Sequence, residues 1–234
     1  MRPNLLILAP HPDDESIIGL LPLRLQEECG YRVWVVPATL GSRVERQAQR
    51  RKELQAACLV LGFRLCWLAG GEDPVAALRV LLARIRPVVV FMPHAGDGHR
   101  THRATHQLGV AAMDAMERTD FHVVETEYWH PLRKPNLMVA ASRPQLGKLR
   151  RALACHQGEV ARNDYAARLP AWMSDNVRRG AELVAGAGAA APDIAHATLY
   201  RARNRVGGKW RPAFRGGRLI KSAADLGGLA ACWA

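Results

Sequence analysis

Short apolar runs alternate with longer amphipathic segments through the first part of this chain. The predicted strands cover residues 4–9, 32–38, 63–68 and 88–92, and the predicted helices between them cover residues 16–29, 43–61 and 74–85. Strands that are apolar on both sides are typical of a parallel sheet with helices on both faces. The alternation therefore predicts an α/β fold whose ligands bind beyond the carboxyl ends of the strands.

The length and composition are those of one globular domain with a small addition. The chain has 234 residues, of which 49% are hydrophobic and 23% are charged, so a disordered chain is excluded. The pattern changes near the end, because residues 201–221 hold eight lysines and arginines and no acidic residue. We expect a domain over residues 1–195 and a basic C-terminal extension over residues 196–234 that packs on the same domain.

The sequence does not support a membrane protein or a secreted protein. No apolar run approaches the ~20 residues that span a bilayer, and the run at 5–8 is too short for a signal peptide. The five cysteines are scattered and include no C-x-x-C pair, which favours reduced thiols over disulfides. We therefore expect a cytoplasmic protein without a transmembrane segment, and a homo-oligomer is compatible with the sequence.

The most unusual segment follows the first predicted strand and reads Pro10-His11-Pro12-Asp13-Asp14-Glu15. Three acids in so short a segment repel one another unless they are solvated or neutralised, and a divalent cation held with the histidine neutralises them. Imidazole with a carboxylate suits zinc, and a second carboxylate left off the metal can act as a base towards water. The alternative is that Asp13 or Asp14 caps the following helix, which explains one acid but not the histidine.

A histidine-rich segment follows the fourth predicted strand. It contains His94, His99, His102 and His106, and a helix beginning near residue 100 places His102 and His106 on one face. The alternative, solvated histidines in a basic surface turn, stays open for His106. Because the acidic and the histidine-rich loops follow neighbouring strands, together they can supply three protein ligands and the open position of a catalytic zinc.

These two segments resemble the motifs of the PIG-L/LmbE-like family of zinc-dependent N-acetylglucosaminyl deacetylases. The resemblance rests on the segment 10–15, on His99-x-x-His102 about ninety residues later, and on the helical stretch 50–54 that runs on to Leu61-Gly62. It covers roughly residues 3–160. It implies a Rossmann-like, LmbE-like fold with a mostly parallel sheet, and hydrolysis of an N-acetyl group with release of acetate.

Carried over position by position, the resemblance implies roles for individual residues. His11, Asp14 and His102 are expected to bind Zn2+, with another divalent cation as the alternative. Asp13 is expected to be the general base and His99 the group that stabilises the oxyanion. The implied chemistry is metal-assisted amide hydrolysis, in which Asp13 takes a proton from the attacking water and returns it to the leaving amine.

The chain departs from the family pattern in two places. The family commonly has His-Pro-Asp-His where this chain has His99-Arg100-Thr101-His102, so the acid that orients the first histidine is missing. Asp97 and Glu15 are the candidates to replace it. The family's later histidine, followed by Ser-Gln, corresponds to His156-Gln157-Gly158. His156 is therefore a candidate for the wall of the site, with a surface position at a helix end as the alternative.

The implied substrate is an amino sugar of the N-acetylglucosamine type or a conjugate of it. The formal net charge of +12 favours an anionic one. Substrate hydroxyl groups need fixed polar partners, and Arg51 and Asp97 are the candidates. A solvated position on a basic helix is the alternative for Arg51.

Two other functions stay open at this point. One keeps the metal but cleaves another amide or an ester on a sugar conjugate. The other is a non-catalytic, polyanion-binding protein that uses the basic residues 201–221 with Tyr200, Trp210 and Phe214. We prefer a C-terminal hairpin that packs these rings on the domain, and no motif specific for nucleic acid is recognisable. A dinucleotide site is disfavoured because acids, not a glycine-rich turn, follow the first strand.

Overall fold

The computed structural model describes residues 2–71, 73–128 and 130–233. The strands in this part of the chain are β1 (Asn4–Ala9), β2 (Arg32–Pro37), β3 (Arg64–Leu65), β4 (Val89–Pro93), β5 (Phe121–Thr126), β6 (Leu137–Ala140), β7 (Ala197–Val206), β8 (Lys209–Pro212) and β9 (Arg218–Ile220). The helices are α1 (Asp14–Ile17), α2 (Leu20–Cys29), α3 (Val44–Leu61), α4 (Pro74–Ile85), α5 (Arg100–Asp114), α6 (Arg143–Leu153), α7 (Gln157–Arg162), α8 (Tyr165–Gly180) and α9 (Ala223–Ala231), and a π-helical turn (Ala181–Ala185) follows α8.

The described strands join one sheet in the order β3-β2-β1-β4-β5-β7-β6-β9, with β8 paired to β7. The first five strands of this order, from β3 to β5, are parallel to one another. β7 is antiparallel to β5, β6 and β8, and β6 is parallel to β9. The predicted α/β fold with a mostly parallel sheet is confirmed. β1 and β4 are direct neighbours, so the loops that follow them lie side by side.

The apolar character of the strands follows from helices on both faces of the sheet. In β1, Leu5 and Ile7 belong to the core beneath α2, α3 and α6, whereas Leu6 and Leu8 belong to the core beneath α4 and α5. Successive side chains of a strand point to opposite faces, so a strand covered on both sides must be apolar at every position.

Two predicted elements differ from the structure. The helix expected over residues 16–29 is divided into α1 and α2 at Gly19, where a Cβ atom would lie 2.3 Å from the carbonyl oxygen of Glu15. The strand expected over residues 63–68 is reduced to Arg64–Leu65, because β3 lies at the edge of the sheet and pairs only with β2.

The C-terminal segment contributes directly to the main sheet. β7 lies between β5 and β6, and it turns at Gly207 and Gly208, both with positive φ, into β8. The division between residues 1–195 and 196–234 stays a prediction. It falls just before a strand with neighbours on both sides.

The basic and aromatic residues of this segment are engaged within the protein. Tyr200 is fully buried, and Arg203 lies over the ring of Trp210 at 4.7 Å. Arg218 lies over Phe214 at 4.4 Å. These contacts occupy the rings that a polyanion-binding surface would need, and they fit the hairpin that we preferred.

Two structural findings bear on the class of protein. Within the three described ranges, no helix combines the length and the apolar character needed to cross a membrane. The cysteines Cys29, Cys58, Cys66, Cys155 and Cys232 are free. The cytoplasmic location stays a prediction.

Tyr200 ties the C-terminal strand β7 to the helices that follow the acidic motif. Its hydroxyl donates a hydrogen bond to the carbonyl oxygen of Ile18 (2.6 Å) and accepts one from the backbone N–H of Leu21 (3.1 Å). The two backbone groups flank the break at Gly19, where regular helical partners are missing. A side chain from a distant strand therefore satisfies the backbone next to the site.

We expect Tyr200→Phe to lower the free energy of unfolding by about 1–3 kcal/mol, since it leaves two buried backbone groups without a partner. Urea denaturation measures the change. Tyr31→Phe is the matched control, because the Tyr31 ring is also buried but no hydrogen bond of its hydroxyl is found in the described residues. Equal stability losses in the two variants would contradict the role given to the Tyr200 hydroxyl.

Candidate active site

The acidic motif forms a tight turn at the carboxyl end of β1. Asp13, Asp14 and Glu15 are all buried, with exposed fractions of 7%, 3% and 0%. The carboxylate of Asp14 accepts a hydrogen bond from the backbone N–H of His11 (2.8 Å), and that of Glu15 accepts one from the backbone N–H of Asp13 (2.9 Å). The motif thus folds back on itself and keeps its charges away from solvent.

The helix-capping alternative for this motif is wrong. Asp13 occupies the position before the first residue of α1, but its side chain makes no capping hydrogen bond. Its backbone has φ 114° and ψ −32°, outside the extended conformation of an ordinary N-cap residue. The carboxyl group of Asp13 instead lines a large cavity.

The histidine-rich segment forms the loop from β4 to α5 and the first turn of that helix. Asp97 organises this loop, because its carboxylate accepts a hydrogen bond from the backbone N–H of His99 (2.7 Å) and contacts Nδ1 of His102 (3.0 Å). His99 precedes α5 and is exposed, whereas His102 lies on the buried side of its first turn.

The two loops converge on one point. One ligand nitrogen from each of His11, His99 and His102 lies within 4.8 Å of the others. The same carboxylate oxygen of Asp14 lies 3.5 Å from Nδ1 of His11 and 3.7 Å from Nε2 of His102. The structure therefore brings together all four residues that sequence reasoning associated with the metal and the oxyanion.

These donors fit a divalent metal ion. Asp97 contacts Nδ1 of His102, which leaves Nε2 facing Asp14 and His11. A carboxylate behind a ligating histidine is the usual second partner in metal sites, where it fixes the tautomer and the ring orientation. Imidazole and carboxylate together suit zinc and neighbouring transition metals.

The pKa shifts of the two helix-side histidines have opposite signs. Burial alone lowers the pKa of His102, but the hydrogen bond to Asp97 and the charge of Asp14 outweigh it and raise the pKa overall. Burial, then the neighbouring His102 and His11, lower the pKa of His99. His99 is therefore a neutral imidazole at pH 7, which still carries one N–H that can donate.

The pKa of Asp13 is raised well above its usual range. Burial is the largest cause, followed by the charges of Asp14 and Glu15, while Arg50 acts in the opposite direction. A carboxylate of raised basicity beside a cluster of metal-type ligands is the pairing that a general base needs.

Asp97 is not a free partner for a substrate hydroxyl. Burial on its own raises the pKa of this carboxyl, but the hydrogen bonds from His102 and from the His99 backbone lower it overall. Its carboxylate hydrogen-bonds to the backbone of His99 and contacts the ring of His102, so it orients the second histidine of the motif and not the ring of the first. It borders the cavity from this buried position.

A cavity of about 1020 Å³ opens over the convergence point. Its floor contains His11, Asp13, Asp14, His99 and His102. Arginines from three parts of the chain form much of the wall: Arg43, Arg46, Arg50, Arg100, Arg162 and Arg168. Such a volume accommodates a sugar with an attached group.

Arg51 lies outside this cavity, which corrects the expectation that it binds the substrate. Its guanidinium stacks on Trp67 at 3.9 Å. Its neighbour in α3, Arg50, does line the cavity and donates to the carbonyl oxygen of Pro12 (3.0 Å). The predicted residue is therefore wrong by one position. Neighbouring side chains on a helix point about 100° apart around its axis, which is enough to turn Arg51 away from the cavity.

His156 is neither on the surface nor among the residues that line the cavity. It is 1% exposed, and its Nε2 contacts the carboxylate of Glu15 at 2.9 Å. His156 therefore lies behind Glu15 and not in the wall of the cavity, where we expected it.

His106 and His94 lie apart from the cluster. Nε2 of His106 is 3.7 Å from the carboxylate of Glu125, and Nε2 of His94 contacts the carbonyl oxygen of His130 at 3.2 Å. One helical turn separates His102 from His106, enough to place the second ring against β5 instead of the site.

Glu159 is a buried acidic residue of the cavity that sequence reasoning missed. It is 3% exposed and lies near three arginines: Arg46 at 3.4 Å, Arg50 at 3.7 Å and Arg162 at 2.5 Å. Its position in the short helix α7 carries no motif, so only the tertiary structure identifies it.

The part of the chain that contains the two loops matches a known protein family. Residues 6–113 match the model of the PIG-L family, described as GlcNAc-PI de-N-acetylase. The matched residues run from β1 through most of α5 and include both loops of the site. A comparison with curated protein sequences finds no match.

Solved structures with the same fold include two deacetylases and a hydratase. The N,N'-diacetylchitobiose deacetylase of Pyrococcus horikoshii is 18% identical, with 85% of this chain and 83% of that chain covered and a TM-score of 0.64. The zinc-inhibited form of teicoplanin deacetylase is 15% identical, with 85% and 97% covered and a TM-score of 0.62. The 4-carboxy-2-hydroxymuconate hydratase of Pseudomonas putida is 19% identical, with 86% and 96% covered and a TM-score of 0.64.

These neighbours share the mixed α/β fold of this chain, with its central, mostly parallel sheet, which is the LmbE-like fold. At such identities the fold alone is shared. The family match, together with the deacetylase neighbours, supports a hydrolase of the deacetylase type.

We expect Asp97→Asn to weaken the binding of a divalent metal by about 10–100-fold. An asparagine oxygen can serve His102 or the His99 backbone but not both, and it carries no charge. Zinc affinity, measured by competition with a chromogenic chelator, tests this. Asp73→Asn is the control, because Asp73 caps α4 away from the site and asparagine caps as well. Unchanged affinity in Asp97→Asn would contradict the orienting role.

Proposed function

We propose that this protein is a zinc-dependent hydrolase that removes the N-acetyl group from an amino sugar of the N-acetylglucosamine type or from its conjugate. The observation that carries the proposal is the convergence of His11, Asp14, His99 and His102 beside the buried Asp13 at the floor of a large cavity. Neighbours that deacetylate diacetylchitobiose and teicoplanin support a sugar conjugate as the substrate.

His11, Asp14 and His102 are the residues proposed to hold the metal. The Asp14 oxygen lies between the two imidazole nitrogens, and Asp97 stands behind His102. When bound, the divalent ion supplies Lewis-acid chemistry: it makes water acidic near neutral pH and polarises the acyl carbonyl.

Asp13 and His99 are the residues proposed to move and donate protons. The Asp13 carboxylate accepts a proton from the attacking water and returns it to the leaving amine. The N–H of the neutral His99 donates to the oxygen that becomes negative during the attack. His99 suits this role because it is exposed to the cavity while His11 and His102 are more enclosed.

We expect the Asp13→Asn variant to keep zinc and the fold, while its turnover number falls about 10²–10⁴-fold. His11→Ala, Asp14→Ala and His102→Ala are each expected to lose zinc, and His99→Ala is expected to keep it while turnover falls. Acetate release from a panel of N-acetylated sugars, with the metal content of each sample quantified, measures both effects.

The control is His106→Ala, whose side chain contacts Glu125 outside the cluster and whose loss should change neither zinc nor turnover. Turnover like that of the wild type in Asp13→Asn would remove Asp13 from the mechanism. Loss of zinc in His99→Ala would make His99 a ligand. Cleavage of esters or other amides without acetate release from any acetamido sugar would favour the alternative hydrolase.

The arginine wall of the cavity supports an anionic conjugate. Six arginines face four carboxylates, those of Asp13, Asp14, Asp97 and Glu159. No ion-pair partner of Arg43, Arg100 or Arg168 is found among the described residues. A phosphate or carboxylate on the group attached to the sugar would meet these free guanidinium groups, which bind such oxygens in pairs.

We expect Arg168→Gln to raise KM about tenfold for a phosphorylated N-acetylated sugar, which corresponds to the loss of one charged hydrogen bond. The turnover number should stay within about twofold, because a contact with the anionic group stabilises the bound substrate and the transition state alike. KM for the uncharged sugar should not change. Arg178→Gln on the same helix is the control, since Arg178 pairs with Asp175 away from the cavity. Equal KM changes for charged and uncharged substrates would contradict an anion-binding wall.

A further inference from the structure

Asp13 has a backbone conformation that L-residues rarely adopt. Among the described residues other than glycine, only Asp13 (φ 114°) and Arg86 (φ 47°) have a positive φ. Arg86 ends α4 in the ordinary left-handed conformation, whereas Asp13, with ψ −32°, lies outside that region. A strained conformation persists only where the surrounding structure enforces it, and such residues concentrate at functional sites.

The backbone of Asp13 is held on both sides. Its carbonyl oxygen accepts hydrogen bonds from the N–H groups of Ser16 (3.0 Å) and Ile17 (3.2 Å) in α1. Its own N–H donates to the carboxylate of Glu15 at 2.9 Å. The first contact belongs to the helix, but the second depends on a side chain that is entirely buried.

Glu15 is held in turn by a residue from a distant part of the chain. Its second carboxylate oxygen accepts a hydrogen bond from the hydroxyl of Ser16 (2.6 Å) and faces Nε2 of His156 at 2.9 Å. His156 lies just before α7 and is 1% exposed. Glu15 and His156 do not line the cavity, so they stand behind the site and have no contact with a substrate there.

The two ring nitrogens of His156 have different surroundings. An ionised carboxylate only accepts, so the Nε2 of His156 that faces it is assigned the hydrogen. The buried Nδ1 has no hydrogen-bond partner in the described part of the chain. A buried polar atom without a partner costs stability, and a histidine placed at this cost is explained by what its Nε2–H does for Glu15.

We propose that Glu15 and His156 are positioning residues for Asp13. His156 and Ser16 orient the Glu15 carboxylate, which holds the strained Asp13 backbone so that the Asp13 side chain faces the cavity. The inference deepens the proposed function, because it rests on Asp13 being the proton acceptor. It assigns the later histidine of the sequence, which the proposed chemistry leaves without a role.

His156→Leu, which removes the donor, is expected to lower the turnover number about 10–100-fold, as small displacements of a reacting group do. KM should stay within about twofold and bound zinc should remain stoichiometric. His156→Gln, whose amide can place an N–H near the same point, is expected to recover turnover to within about fivefold of wild type. A rise in KM, or a loss of bound zinc, as large as the fall in the turnover number would overturn the proposal.

The combination with Asp13→Asn separates positioning from a merely structural role. If His156 acts through Asp13, His156→Leu should cause no further loss of turnover in the Asp13→Asn background. An additive loss would overturn the proposal. His122→Leu is the matched control, because His122 contacts Asn204 near the amino end of β5, whereas the site lies beyond the carboxyl ends of the strands, so its loss should leave turnover unchanged.

Crystal structures of wild type and His156→Leu provide a test that needs no activity. We expect the Asp13 φ to leave the positive region, or the Asp13–Glu15 hydrogen bond to break, in the variant alone. An unchanged turn would overturn the proposal, even if wild type released no acetate and the proposed function had failed. Ser16→Ala, which removes the other donor to Glu15 with little loss of volume, takes the place of His156→Leu in each test if that variant does not fold.

Discussion

Three carboxylates lie buried within three residues at the carboxyl end of β1, and each needs partners because a buried charge without them is very costly. The three carboxylates have different partners. Glu15 takes protein donors from the backbone, from Ser16 and from His156. Asp14 takes one backbone donor and faces two imidazoles. Asp13 has the raised pKa that incomplete compensation produces.

The three carboxylates therefore differ in how fully their charges are balanced by protein partners. This difference suits each of them to a different role. The carboxylate with the most protein donors, Glu15, is structural in its contacts and faces away from the cavity. The carboxylate between histidines, Asp14, is suited to a metal ion. The one with the fewest partners, Asp13, faces the cavity and has the basicity that proton transfer requires. The environment, and not the residue type, separates these roles.

The surrounding fold supports the motif from both ends of the chain. Tyr200 of β7 binds the backbone on either side of Gly19, and His156 of the α6–α7 connection contacts Glu15. Residues beyond the PIG-L match, which ends at 113, therefore complete the site. The arginines gathered around Glu159 also come partly from this later region, so the charge of the cavity wall depends on it.

The local pattern of the sequence was sufficient to predict the sheet, the two loops and the residues that converge there. Apolar runs mark the strands of a covered sheet whatever their order, and acids and histidines after two strands mark the ligand-binding edge. What it did not determine is which neighbour each side chain meets. Arg50 and not Arg51 reaches the cavity, His106 contacts Glu125, and Glu159 has no motif at all. These outcomes depend on helix rotation and on contacts between residues far apart in the chain, such as the pairing of His156 with Glu15, which only the folded structure establishes.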